Sequence, residues 1–348
     1  MRLVVALLAT MAASSAWADT ISATVVAGHP EVFRWVKMFP AAFEPAVQKA
    51  LEGTGHQISF SNQFGGSIAG VGEELETVED GLAEIGIIQS LFDPAKMPLQ
   101  NVTYYTPFVS PNPRTVNELM NELVLTDPRL QAAFTQHNIV PLGGPLAIDD
   151  YLLLTTFPVK SLDDLKGRKI ATAGAAVSWL DGTGAVGVSG QIPLYYNDIK
   201  TGVYDGVILF ATAALPAKLH EVAPYITRVG FGAQYAGEIG ANAEWFKSQP
   251  PEVQKALREG AKAAGDWYLR SLEEGTDAAL AKMAAEGAHI TIASEDMRKA
   301  WAKGMKNIAQ EWANKADTSG LPGTEILKLY MDRMRNAGVK PLRDWDKE

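Results

Sequence analysis

Two linked stretches decide the reading of this chain: Ser161–Gly174, SLDDLKGRKIATAG, and Tyr195–Gly206, YYNDIKTGVYDG. Ser161 opens a short helical turn, and Gly167 closes it as a C-terminal glycine cap does. A β-rich run from Arg168 to Thr172 follows at once. The second stretch ends in a glycine that opens another apolar run, Gly206–Phe210. Short β-runs alternating with helical segments predict α/β organisation.

The pattern continues outward in both directions. Ile21–Ala27, His56–Gln63, Glu84–Gln89, Ile139–Leu142 and Tyr151–Thr156 read as strands, and Ile85, Ile87 and Ile88 suit a buried parallel strand. A helix-like stretch begins at Glu31, where Pro40 and Pro45 must break or kink it. Another helix is expected over 71–83. The most helical region, Glu252 to about Glu286, is free of proline, and at ~1.5 Å per residue its roughly 35 residues reach about 50 Å. Its glycines, Gly260, Gly265 and Gly275, each lower helix propensity by about 1 kcal/mol relative to alanine. His289–Ile292 reads as a strand, Ser294 as the cap of a helix running to about Lys315, and Gly323–Asn336 as a last helix.

The N-terminus carries a secretory signal: basic Met1-Arg2, an uncharged apolar run Leu3–Ala13, and Ala16-Trp17-Ala18 before Asp19. That run of about 11 residues falls short of the roughly 20 needed to span a bilayer. Cleavage after residue 18 removes one basic and no acidic residue, so the 31 Lys+Arg become 30 against 40 Asp+Glu, and the net charge moves from −9 to −10. The remaining 330 residues (348 − 18) exceed what one core usually supports, which predicts two lobes. Cysteine is absent, so disulfides and thiolate metal sites are excluded. The acidic balance, with no basic stripe, argues against nucleic acid.

No catalytic constellation stands out. The five histidines, His29, His56, His137, His220 and His289, fit no metal spacing, and no nucleophile elbow or phosphate loop occurs. Gly182-Thr183-Gly184-Ala185-Val186-Gly187 matches G-x-G-x-x-G. A dinucleotide site needs a strand ending at the first glycine and an unbroken helix after it, and Gly190 and Pro193 break any such helix.

Taken together, DLKG and TG-V-x-DG resemble landmarks of the TRAP-transporter solute receptors, the DctP-like extracytoplasmic binding proteins. GGSIAGVGEELETVEDGLAEIGI resembles the family's first-lobe stretch, Tyr105-Thr106-Pro107-Phe108 its LPF element, and Asn242–Pro251 its approach to a long helix. The resemblance covers nearly the whole chain after residue 18. It implies an α/β, two-lobe periplasmic-binding-protein-like fold with a ligand cleft and a long helix bridging both lobes. It implies lobe 1 over 19–146 and about 232–265, and lobe 2 over 147–231 and about 266–348. It further implies a periplasmic receptor that closes on a small organic acid and delivers it to a small and a large membrane permease subunit, with no cofactor.

Within that resemblance the site departs from the family. The position of the clamping arginine, in a KIR-type triplet, is Ala171, and a second anchor, about sixteen residues before Gly167, is Tyr151. The polar "DG-Q-E-N" run is replaced by Val207-Ile208-Leu209-Phe210. Expected ligand contacts are His29 and Phe64 beside the first two strands, Gln89 at a strand's carboxyl end, and Tyr151, Ala171, Trp179, Tyr196 and Phe210 in the second lobe. For Tyr196 a structural role is favoured, and Trp179 is the expected ligand wall. Core packing remains the alternative for Tyr151 and Phe210, and ordinary surface or backbone roles for His29 and Gln89. Arg168 lies three residues before Ala171, an odd offset that puts it on the other face of a strand. Such a cleft suits an aromatic, hydroxylated or apolar monoacid better than a C4-dicarboxylate. A neutral or cationic solute, a secreted enzyme with an unrecognised acid/base pair, and a partner of a membrane kinase remain open alternatives.

Overall fold

The computed structural model describes residues 19–348; the expected signal peptide, residues 1–18, lies outside them. The described strands are β1 (Asp19–Ala27), β2 (His56–Phe64), β3 (Ile85–Ile88), β4 (Ile139–Gly143), β5 (Ala147–Ile148), β6 (Tyr151–Thr155), β7 (Lys169–Thr172), β8 (Val186–Ser189), β9 (Gly206–Phe210), β10 (Tyr225–Arg228), β11 (Gln234–Tyr235), β12 (Glu238–Asn242) and β13 (His289–Ile292). They build two main sheets, ordered β2-β1-β3-β12-β4 and β13-β10-β6-β9-β7-β8. Each is the centre of one lobe.

In the first sheet β1 runs parallel to β2 and β3, while β12 returns antiparallel between β3 and β4. β3 is buried along its whole length, which its apolar sequence IGII permits. In the second sheet β6 is antiparallel to β9 and β10, and β7 is parallel to β8 and β9.

The two stretches that opened the sequence reading dock on one another. Asp205 accepts from the Lys169 backbone N–H at 2.8 Å, and the Asp205 N–H donates to the Lys169 carbonyl at 2.8 Å. Gly167 takes the left-handed conformation expected of the cap, with φ +72°. Gly206 passes so close to β6 that a Cβ there would sit 2.5 Å from the Leu154 carbonyl oxygen. The residues between Gly182 and Gly190 contain β8 rather than a helix, so the glycine-rich match lacks the helix N-terminus that holds a pyrophosphate.

The lobes are joined where the chain crosses from β4 to β6 and from β10 to β12. These crossings run side by side and pair as a small antiparallel ribbon, β5 with β11. The helix Pro251–Ala285 is continuous over 35 residues. It packs on the segment 34–50 and β4 of the first lobe and on Ala211–Ala214 and β13 of the second. Gly260 and Gly275 are buried in it because neighbours come too close for a side chain: Val47 would lie 2.4 Å, and the Arg34 guanidinium 2.5 Å, from a Cβ.

Two expected helices differ in detail. Near Pro40 and Pro45 the backbone widens into a π-helical turn, Phe39–Phe43, between the α-helices Arg34–Met38 and Glu44–Ala50. The helix expected from Ser294 to Lys315 stops at Gly304 and restarts at Ile308, capped by the Asn307 side chain, which accepts from Gln310 N–H at 2.9 Å. The helices Ile308–Thr318 and Gly323–Asn336 pack on residues 99–105, and the latter also on Pro113–Thr126.

Candidate functional site

The candidate site is an aromatic cluster where the carboxyl ends of β1 and β3 meet the amino end of β6 and the carboxyl end of β9. His29 lies two residues beyond β1, and Gln89 directly follows β3. A loop edge holds His29 in place: the buried Glu74 carboxylate accepts from Gly28 N–H at 2.9 Å and Gly72 N–H at 2.7 Å. Burial pushes the Glu74 carboxyl up to about 7, against the opposing pull of those N–H groups. Burial likewise pushes the His29 imidazole down to about 4, so it is neutral at ordinary pH.

His29 Nδ1 faces Gln89 Nε2 at 3.5 Å. The imidazole meets Phe33 and Trp35 edge-on, with ring centroids 5.6 and 5.2 Å apart, and Phe33 stacks on Trp35 at 4.6 Å. Phe92 closes the same corner at 6.5 Å.

From the second sheet, Tyr151 opens β6 and Phe210 ends β9, and the two are direct cross-strand partners. Their rings meet at 5.3 Å, nearly perpendicular. Phe210 then meets Trp35 of the first lobe at 5.8 Å. The Tyr151 hydroxyl is hydrogen-bonded to the Tyr104 hydroxyl at 2.9 Å, and burial holds its proton well above the usual range. Further contacts close the lobes together: the Gln191 amide donates to the Val71 carbonyl at 3.2 Å, and Gly174 lies against Leu91.

The structure therefore brings His29, Gln89, Tyr151 and Phe210 into one cluster and places four expected residues elsewhere. Trp179 is fully buried and packs against Tyr151. Tyr104 at 5.9 Å and Phe231 at 5.3 Å stack on it, and it meets Tyr151 edge-to-face at 5.1 Å. Its N–H donates to the Tyr104 carbonyl and its carbonyl accepts from Trp301, each at 2.6 Å. Ala171 is buried in β7 between β8 and β9. Phe64 packs on Phe39 at 6.0 Å in the first lobe's core. Tyr196 sits on the helix Ile192–Lys200, where its hydroxyl donates to Glu221 at 3.0 Å. Trp35, Phe33 and Tyr104 are the members that the sequence reading missed; the run FRWVKMF carries an aromatic signal, but nothing local in it points to Phe210.

Three nearby arginines are engaged elsewhere. Arg168 pairs with Asp205 at 3.4 Å and lies over Phe157. Arg114 forms a fork onto Glu273 at 2.8 and 2.7 Å on the surface. Arg34 turns away to the Ser271 carbonyl at 2.5 Å. The cluster presents aromatic faces and neutral polar atoms.

Comparison with known proteins agrees with this architecture. The model of the DctP family, bacterial extracellular solute-binding protein family 7, matches residues 38–316. The chain belongs to that family. A solute-binding protein of Sulfitobacter sp. strain NAS-14.1 is 27% identical over 171 residues, 49% of this chain and 51% of the relative. The chain thus spans about half the length of the curated relative it matches. A TRAP solute-binding protein of Rhodoferax ferrireducens T118, solved with copurified benzoate, superposes with a TM-score of 0.80 at 18% identity, covering 91% of this chain and 98% of that one. A pyroglutamic-acid-binding extracytoplasmic solute receptor of Bordetella pertussis gives 0.77 at 20% identity over 89% and 99%. The periplasmic ectoine-binding protein of Halomonas elongata gives 0.76 at 16% identity over 91% and 100%. At these identities the likeness shows the fold.

Proposed function

We propose that this protein is the extracytoplasmic receptor of a TRAP transporter, binding a small, flat, ring-bearing organic monoacid between its lobes. The observation that carries the reading is the interlobe aromatic cluster, Trp35 from one side against Phe210 and Tyr151 from the other. The strand ends around it are where open α/β sheets hold ligands. Rings stack on such walls with about 0.5–1.5 kcal/mol beyond their buried area. A C4-dicarboxylate would bring two charges against aromatic rings and neutral polar atoms, where an unpaired buried ion costs several kcal/mol.

The β5–β11 ribbon and the long helix are the connections about which the lobes part to admit the solute and close on it. The lobes are taken as 19–146 with about 232–265 and 147–231 with about 266–348, although the helices Ile308–Thr318 and Gly323–Asn336 pack on first-lobe residues. The C-terminal helices touch both halves, since Trp301 donates to Trp179 while Trp312 donates to Pro98. The partners are the small and large permease subunits, and the site of action is the periplasm. Among the described residues no helix is long and apolar enough to cross a membrane.

A thermal-shift screen of the chain from Asp19 tests the reading. Ring monoacids should raise the melting temperature, because a solute at about 100 times its Kd adds roughly 2.7 kcal/mol. Succinate and malate should not. If C4-dicarboxylates shift the melt most, the reading is wrong. Neutral solutes alone shifting it would replace the acid with the neutral alternative.

A further inference from the structure

Two buried N–H groups on the first-lobe side of the cleft have nothing to donate to. His29 Nε2 and Trp35 Nε1 are shut off from solvent and lack a hydrogen-bond partner, on rings 5.2 Å apart. Buried polar groups in native proteins are overwhelmingly paired, so each exception calls for a reason. The indole N–H only donates. The imidazole resolves the same way. Its Nδ1 faces the Gln89 side-chain amide at 3.5 Å; with the amide nitrogen turned toward it, as here, Nδ1 accepts and the proton sits on Nε2. Gln89 thereby acts as a positioning residue, fixing the tautomer of His29. Both free atoms are donors, and both belong to the cluster that Phe210 closes from the other lobe.

Resting on the receptor reading above, we propose that His29 Nε2 and Trp35 Nε1 form a neutral two-donor clamp for the oxygen-bearing planar group of the solute. That group is a carboxylate or a carboxamide carbonyl. The clamp lies on the first lobe, opposite the lobe that carries Ala171, and works without a cation. It offers no acceptor, so a solute whose polar end is an ammonium gains nothing there. Charge-assisted hydrogen bonds are about twice as strong as neutral ones, so a carboxylate profits more than an amide. Losing one donor should weaken a carboxylate by about 10- to 100-fold and an amide by about 3- to 10-fold.

The test is isothermal titration with benzoate, benzamide and benzylammonium as probes, on the wild-type chain and on Trp35→Phe. Phenylalanine keeps a ring against Phe210 and removes only the N–H, and an unchanged melting curve without ligand controls for folding. The clamp predicts that Trp35→Phe weakens benzoate more than benzamide, within the ranges above, and that benzylammonium does not bind the wild type. Trp35→Phe leaving the affinity of the bound probe within twofold overturns it. If neither ring probe binds the wild type, the ring-acid reading fails, and the clamp is decided by nitrogen-15 NMR of the histidines. His29 carrying its proton on Nε2 upholds the donor geometry, and a proton on Nδ1 overturns it.

Discussion

Replacing Glu238 by glutamine should flatten the pH dependence of stability between pH 5 and 7. Glu238 opens β12 beside the end of β3 and is fully buried. Neither carboxyl oxygen has a hydrogen-bond partner. The Tyr235 hydroxyl lies close enough to ease the charge slightly, though the pair misses hydrogen-bond geometry. Burial dominates and pushes the carboxyl from 4.5 up to about 8. An acid whose pKa is raised by folding stabilises fully below its unfolded value, and that stability is lost as pH rises toward the folded value. At 1.36 kcal/mol per pKa unit, moving from pH 5 to 7 costs the native state about 2.5 kcal/mol through this one group. Over 330 residues at ~2.1 cal/mol/K each, that is about 4 °C in melting temperature. Glu74, Asp93, Asp150 and His29 titrate in overlapping windows, so the readout is the difference between wild type and Glu238→Gln at each pH. Calorimetric melts at pH 5, 6 and 7 should show the variant gaining on the wild type by about 2.5 kcal/mol across the range. Parallel curves would refute the argument, because they would mean that Glu238 binds its proton no more tightly folded than unfolded.

Further substitutions probe the frame around the cleft. Gly237→Ala should destabilise by about 3 kcal/mol or more in urea titration, since Gly237 has φ +143° and a Cβ there would lie 1.9 Å from the Ile88 carbonyl oxygen. Trp179→Ala should cost about 3–5 kcal/mol and weaken solute binding indirectly, because Trp179 backs Tyr151; a melt within a degree of wild type would show that its stacking partners carry little. His29 has a lowered folded pKa, so its stability is full above 6.5 and is lost as pH falls toward about 4. His29→Gln should therefore lose less stability than wild type between pH 6.5 and 4.5, read by melts at the two ends. Asp205→Asn should cost about 1 kcal/mol through its contact with Lys169 N–H, and no change in the melt would deny that contact any role.

The sequence made the frame legible wherever the signal was local. Gly167, the TG-V-x-DG turn and the uninterrupted helix of 35 residues each follow from backbone chemistry within a few positions. The break between Gly304 and Asn307 is also local in the sequence, a helix-ending glycine followed by a capping asparagine. β12 was hidden because Glu238 and Gly240 are poor strand formers that only neighbouring strands make tolerable. Of the candidate site, Gln89 was named because a strand's carboxyl end points to the cleft, whereas Tyr151 and Phe210 were named from the family resemblance and lie at the amino end of β6 and the carboxyl end of β9. Trp35 could not be named, since its role depends on a contact with a residue 175 positions away (210 − 35). Sequence likewise does not reveal that Tyr104 and Phe231 stack on Trp179.

The most direct measurement is a crystal structure of the chain from Asp19 with the solute that most raises its melting temperature. The account predicts the solute's ring between Trp35 on one lobe and Phe210 and Tyr151 on the other, with an oxygen within hydrogen-bond distance of His29 Nε2 or Trp35 Nε1. A solute bound outside that cluster, or held there by an arginine or lysine side chain, would contradict it.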